Sequence, residues 1–486
     1  MVKISPWVKN LAFVCLGHWV GLTPSLSATY YVAPSGNDNA AGTQAQPYAT
    51  PAKGQSMAQP GDTVSLRGGT YFFKSSVDEI GLDLTKSGTS GKLIHYMAYP
   101  GEIPVFDFYG MTAQKRVKGV NVTGSYLHLK GIEMKGVTQV DALKAHESWC
   151  IYVNGGNHNV FETLNLHHHM GPGLFIVEGA DNLVLNCDSH DNYDAYSYAG
   201  DVLSPGENAD GFGFHGRKTT STGNVFRGCR AWWNADDGYD FIYAATDVLV
   251  ENCWAWNNGY KAGTTQAAGN GNGFKVGGYG LPPTVPDKLP QHTVRFSLAF
   301  NNRAAGFYQN HHPVSNFYYN NTSFNNKAAN FNLLGYGLSN ADDKASLGIL
   351  RNNVAFQGTA LSNATSGNGV DAKSNSWNLS LTVSNNDFQS VDTNGVGGPR
   401  QADGGLPHIP FLKLKSGSAL IDKGVDIQLP FTGSAPDLGA DEYGAPTGIH
   451  VPIRIRTGYK RWRLQGSGWS MQGHDVSGRR IGSGIP

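Results

Sequence analysis

The sequence predicts an all-β solenoid, a parallel β-helix with a short N-terminal cap segment, and three observations lead there. The segments VLNCDSHDN, FRGCRAWWN, VENCWAWNN, RFSLAFNN and YNNTSFNN align without gaps on a final asparagine: Asn192, Asn234, Asn258, Asn302 and Asn326. Each shows alternation of period two before that asparagine and a Gly- or Asn-containing turn after it, at a spacing of about 24 residues where no insertion intervenes. The chain of 486 residues holds 63 glycines, 22 tyrosines and 22 phenylalanines, enough for many turns and a large core. Helical repeats are excluded, because the apolar residues recur at two and not at three and four.

From the N-terminus, Lys3 and Lys9 flank an apolar run, LAFVCLGHWVGL, that is followed by the small-residue stretch SLSA. Residues 1–28 read as a cleaved secretory signal, which places the protein outside the cell or in a periplasm. An apolar run of about 12 residues falls short of the roughly 20 that span a bilayer, and no later segment is longer. Asp38, in SGNDNAAGT, reads as a turn residue before it reads as an ion ligand. The stretch YATPAKGQSMAQPGD reads as an amphipathic cap over the open end of the solenoid. Residues 29–444 then form one domain. Residues 445–486 carry seven basic side chains against the single acid Asp475, a tail too short for its own core, either disordered or the remnant of a module.

The balance of 37 basic and 37 acidic side chains makes no case for a nucleic-acid or anionic-membrane partner. A monomer is expected. Beyond the signal, the cysteines are Cys150, Cys187, Cys229 and Cys253, without a CxxC pair that would suggest zinc. The last three share one column five residues before the asparagine and read as a buried stack, with a disulfide between two of them left open. The asparagine column itself reads as an internal amide ladder with a structural role.

After the ladder, DGFG (210–213), DGYD (237–240), NGFK (272–275), AGFY (305–308) and ANFN (329–332) fall into register. Their third residues, Phe212, Tyr239, Phe274, Phe307 and Phe331, form a column expected to face the core, with outward columns on either side. One outward column reads Asp210, Asp237, Asn272, Ala305, Ala329; the other reads Gly213, Asp240, Lys275, Tyr308, Asn332. At a coil spacing near 4.8 Å, Asp210, Asp236, Asp237, Asp240 and Lys275 converge within about 5 to 10 Å. Inserts before Asp210 and before Lys275 are placed to wall a groove beside them.

Oxygen-only ligands of this density select a hard cation, and several carboxylates on a flexible turn favour Ca²⁺. The plainer alternative is a solvated acidic turn with Lys275 as its neutralising partner. A cation beside Lys275 would lower that lysine's pKa and make a neutral amine available as a base. Metal plus amine base suits β-elimination on a uronic-acid polymer, whereas a glycoside hydrolase would want two metal-free carboxylates across the scissile bond. Among flanking residues, His215 and Arg217 beyond Asp210, and Tyr308 and Asn310 one coil past Lys275, are candidate substrate contacts, with Arg217 suited to a carboxylate. Gln309 and His311 share the latter stretch. His167, His168 and His169 are not expected to ligate jointly, since alternation sends neighbours to opposite faces.

The blocks YYVAPSGNDNAAGT, QPGDTVSLRGGTYF, NADGFGF, NADDGYDF, GNGFKVGG, SGSALIDKGVD and APDLGADEYG together resemble a pectate lyase of polysaccharide lyase family 9. That resemblance implies a right-handed β-helix, Ca²⁺ ligands at Asp210, Asp236, Asp237 and Asp240, a lysine base at Lys275, and an acidic plant cell-wall polysaccharide such as polygalacturonate as partner. A lyase for another uronate polymer, such as a rhamnogalacturonan, and a non-catalytic polysaccharide-binding β-helix with a structural Ca²⁺ are the alternatives. Lys275 in the adjoining coil weighs against the last.

Overall fold

Strands of two to eight residues bury too little to stand alone, so this sequence gains stability only by stacking coil on coil. The computed structural model describes residues 27–140, 147–199, 201–279, 288–336, 344–364 and 369–445. Its strands form three parallel sheets of twelve, ten and ten members, each strand pairing with its counterpart one coil away. The chain visits the sheets in turn, which is a right-handed parallel β-helix, the hand that parallel crossovers adopt. Two short antiparallel hairpins, Tyr198–Ala199 with Val202–Leu203 and Leu334–Tyr336 with Lys344–Ser346, leave the coils.

The asparagine ladder is formed as the sequence anticipates. Asn192 Nδ2 donates to Asn234 Oδ1 at 2.8 Å, and Asn234, Asn258 and Asn302 each donate to the next rung's Oδ1 at 3.1, 2.9 and 2.9 Å. A second run, Asn321 to Asn353 to Asn375, continues the cysteine column at another corner and was not anticipated. Its early positions are held by Cys187, Cys229 and Cys253, which are buried free thiols, as is Cys150. The option of a disulfide is thereby closed.

The aromatic column faces the core. The rings of Phe212, Tyr239, Phe274, Phe307 and Phe331 stack at centroid separations of 5.3, 4.6, 5.0 and 4.9 Å. Room for them is made by Ala231, Ala255 and Ala299, the inward residues of a neighbouring sheet. The helix Pro51–Met57, capped by Thr50, lays Gly54 against Val32 and Val64 and closes the first coil. Asp38 is a turn residue, its carboxylate accepting from the Ala49 and Thr50 amides at 2.8 and 2.9 Å.

One expectation is corrected. The column Asp210, Asp237, Asn272, Ala305, Ala329 does not face outward: all five are buried, at 5% exposure or less. They stand two positions before the aromatic, hence on its own parity, with Asp210, Asp237 and Asn272 just before their strands and Ala305 and Ala329 opening theirs, so alternation does not carry them to solvent.

After the last coil the chain doubles back across one sheet. Phe388, Val396, Leu406, Phe411, Leu414, Leu420 and Leu438 cover Trp254, Trp256, Phe300, Phe324 and Phe356. This strap is fastened by charge: Arg400 and Arg230 both bind the Asp188 carboxylate, at 2.6 and 2.7 Å. Among the described residues no helix is long and apolar enough to cross a membrane. Of the expected signal, residues 1–28, and the expected tail, residues 445–486, residues 1–26 and 446–486 lie outside the described residues.

Candidate active site and metal centre

The site is built where the ladder turn meets the aromatic column. Gly211, Gly238 and Gly273 precede the aromatic in successive coils, and a Cβ on any of them would come within 2.9 Å of a ladder amide and 2.6 Å of the next coil's carbonyl. Glycine is therefore demanded by close approach of coils, and the residue before it is drawn into the same tight turn. In three consecutive coils that residue is Asp210, Asp237 and Asn272.

The outer register column runs Tyr152, Phe175, Gly213, Asp240, Lys275, Tyr308, Asn332. Asp240 and Lys275 are thus direct neighbours on adjacent coils. Lys275 Nζ donates to Asp240 Oδ2 at 3.0 Å and lies 3.1 Å from Asp237 Oδ2. Oxygens of Asp210, Asp237 and Asp240 all fall within 4.8 Å of one another.

The remaining contacts hold these carboxylates in place. Asp210 Oδ1 accepts the Asp237 amide at 3.0 Å, and Asp240 Oδ1 accepts the Ile242 amide at 2.8 Å. Asn272 donates both its backbone and side-chain N–H to Asp237 Oδ1, at 2.6 and 2.9 Å. This second role for Asn272 went unread in the sequence, although its place in the column was visible. Asp236 stands beside the trio, its Oδ1 accepting the Asn270 amide at 2.6 Å. Asn270 ends the insert before Lys275, whose Ala268 and Gly269 touch Gly206 of the other insert. The two inserts thus meet beside Asp236.

Burial and mutual repulsion dominate the electrostatics of the cluster. Burial, and then their mutual repulsion, push Asp210 and Asp236 well above the ordinary carboxylate range and Asp237 upward. Asp240 is buried too, yet the Lys275 ammonium and His215 outweigh that and hold it low. Burial pushes Lys275 down, but the Asp240, Asp237, Asp236 and Asp210 charges outweigh burial and hold its ammonium well above the usual range. The protein's own groups thus move Lys275 opposite to the sequence expectation, which requires those charges to be cancelled by a cation. The donor set fits one: it is all oxygen, and Asp237 Oδ2 is buried without a hydrogen bond.

The flanking candidates separate. His215 Nε2 lies 3.7 Å from Asp240 Oδ2, with its ring edge-on to Phe175. Arg217 is exposed, its guanidinium 4.4 Å from the Tyr243 ring centroid. Tyr308 adjoins Lys275 in register, with its hydroxyl 3.3 Å from His311 Nε2, and burial raises its pKa to about 12. Asn310 and Gln309 are placed otherwise than the sequence suggested. Asn310 is 7% exposed and donates its amide to the Gly277 carbonyl, which makes it a turn holder. Gln309 is buried and bonded to Val314. In the histidine tract, His167 stacks on His190 and its Nδ1 lies 2.7 Å from His168 Nδ1, because the positive φ of His168 breaks the alternation expected there, while His169 is buried apart from them.

The family described as Pel9A-like, right handed beta helix region matches residues 30–353. Pectate lyase L of Dickeya chrysanthemi is 35% identical over 424 residues, covering 86% of this chain and 91% of that protein. Pectate lyase L of Paenibacillus polymyxa is 34% identical over 390 residues, 75% of this chain and 77% of that protein. Of solved structures, a rhamnogalacturonan lyase is 35% identical with a TM-score of 0.74 over 80% of this chain and 97% of its own. Pectate lyase Pel9A is 33% identical with a TM-score of 0.69 over 86% and 97%.

Proposed function

The chain belongs to the Pel9A-like right-handed β-helix family, and from that premise we propose that it is a secreted, Ca²⁺-dependent pectate lyase that cleaves polygalacturonate by β-elimination. The observation that carries this reading is the Lys275 amine within 3.1 Å of two members of a buried three-carboxylate cluster. A base and a cation site at such contact have a use in elimination that a structural ion does not.

Asp210, Asp237 and Asp240 would hold the ion, with Asp236 beside them. When bound, Ca²⁺ supplies positive charge that neutralises a uronate carboxylate and favours loss of the C5 proton. The chain's own residues perform the transfer. Lys275, as the neutral amine, takes the proton from C5; that electron pair becomes the C4–C5 double bond; the C4–O bond breaks and the departing oxygen is protonated from solvent. His215 sits against Asp240 and keeps that carboxylate ionised. Arg217 and Tyr308 flank the reacting sugar on either side, the former to receive a carboxylate.

The test is absorbance of the unsaturated uronate product during incubation with polygalacturonate and calcium. The expected result is a steady rise that chelator stops. No rise on any uronate polymer would remove the reading and leave a polysaccharide-binding β-helix. The similarity to a rhamnogalacturonan lyase structure favours rhamnogalacturonan as the second substrate to assay.

A further inference from the structure

We propose that Tyr243 is the positioning residue of a uronate-carboxylate subsite, a rigid platform that aims the Arg217 guanidinium at the acidic polymer. The inference rests on the lyase reading and deepens it. Three observations carry it.

The first is the pair itself. The Arg217 guanidinium carbon lies 4.4 Å from the Tyr243 ring centroid, and among the described residues no carboxylate pairs with Arg217. An exposed arginine on a flexible stem ordinarily has many rotamers, and an aromatic face restricts them while leaving the N–H fork free for a planar anion.

The second is backbone conformation. Tyr243 has φ of +64°, in the left-handed region that glycine and asparagine enter readily and bulky residues do not. Tyr126, Trp233 and Phe296 share this conformation at other turns of the coils, and at Tyr243 it fixes the direction in which the ring leaves the backbone.

The third is location. Tyr243 follows Asp240 by three residues, and its amide donates to the Gly278 carbonyl in the Lys275 coil at 2.8 Å. On the other side, Ala245 donates to Gly216 at 2.8 Å, next to Arg217. His215, two residues before Arg217, touches Asp240. The platform is therefore tied to all three coils that build the catalytic cluster. Arg217 stands about 7 Å beyond His215 at an extended rise, far enough to reach the sugar next to the reacting one.

The experiment is a double-mutant cycle on polygalacturonate with calcium, using Arg217→Ala, Tyr243→Ala and the double variant, with Tyr243→Phe as the conservative control. Each single variant is expected to raise KM on the order of tenfold while kcat changes less than about threefold, and the double variant to be no worse than Arg217→Ala. Tyr243→Phe should restore affinity, because the ring face remains. A KM for Tyr243→Ala equal to the parent's, or losses that multiply in the double variant, would overturn the proposal. If Tyr243→Ala does not fold, Tyr243→Asn takes its place: it relieves the left-handed strain and should melt no lower than the parent while losing the same affinity. A parent that makes no unsaturated product removes the lyase reading alone, and calorimetric titration of the same variants with trigalacturonate then decides the pair.

Discussion

Lys275 Nζ lies 3.1 Å from Asp237 Oδ2, an oxygen that is buried and accepts no hydrogen bond. The contact is purely ionic. On the proposed reading a cation would compete with the ammonium for this one atom and loosen the lysine's proton, so that binding and activation of the base would be one event.

Lys275→Arg keeps the charge and the contacts to Asp237 and Asp240. A guanidinium does not become neutral in the working range, so turnover should fall by roughly 100- to 10,000-fold with KM little changed. Initial rates of unsaturated product at saturating polygalacturonate check this. A rate within a few-fold of the parent would remove Lys275 from the mechanism.

Activity should climb toward alkaline pH. The Asp240, Asp237, Asp236 and Asp210 charges hold the ammonium above its ordinary range, and the reaction needs the amine, so the active fraction grows as pH rises. A kcat/KM profile at fixed free calcium reads it. A profile that falls between neutral and alkaline pH, with the fold intact, would contradict the assignment.

Calcium should stabilise the protein most at neutral and alkaline pH. Asp210, Asp236 and Asp237 have folded-state pKa values above their unfolded ones, so their ionisation works against folding as pH rises, and that penalty disappears as pH falls and they protonate. The gap in Tm between calcium and chelator should therefore narrow from pH 8 to pH 5. Comparing the two conditions at each pH cancels the buried histidines, which titrate in both.

Chelation should stop turnover while the solenoid stays folded at room temperature. The cluster engages three coils, and stability is spread along the whole stack. Circular dichroism with and without chelator decides it; global unfolding on chelation would make the ion structural.

Asp188→Ala should cost about 3 to 5 kcal/mol, because it strands two arginines whose side chains are 3% and 12% exposed. A thermal melt should show the loss, and limited proteolysis should cut first in the strap that Arg400 anchors.

How much of this was legible depended on whether the determinant repeats. The ladder from Asn192 to Asn326 and the column from Phe212 to Phe331 were readable because stacking demands the same residue at the same place in each coil. The approach of Asp240 to Lys275 followed from that alignment, although 35 residues separate them. Interactions made once left no such trace. Arg400 reaches Asp188 across 212 residues, and neither position advertises the other. Tyr243 was missed because its contact with Arg217 is likewise made once. The burial of Asp210 and Asp237 was misjudged because they stand two positions before the aromatic and so share its parity, where the residue that alternates with it is the intervening glycine.

The spacing between rungs of the asparagine ladder is uneven: 42 residues from Asn192 to Asn234, 24 to Asn258, 44 to Asn302 and 24 to Asn326. The bond joining each pair nevertheless stays between 2.8 and 3.1 Å. The extra residues of the long intervals therefore transmit no distortion to the ladder. The scaffold and its decorations can change independently: lengthening or exchanging an insert alters what stands beside the carboxylate cluster while the spine beneath does not register the edit. A transplanted loop from a relative with a different polymer preference should accordingly be accepted at these two departures, after Asn192 and after Asn258, more readily than anywhere inside a coil.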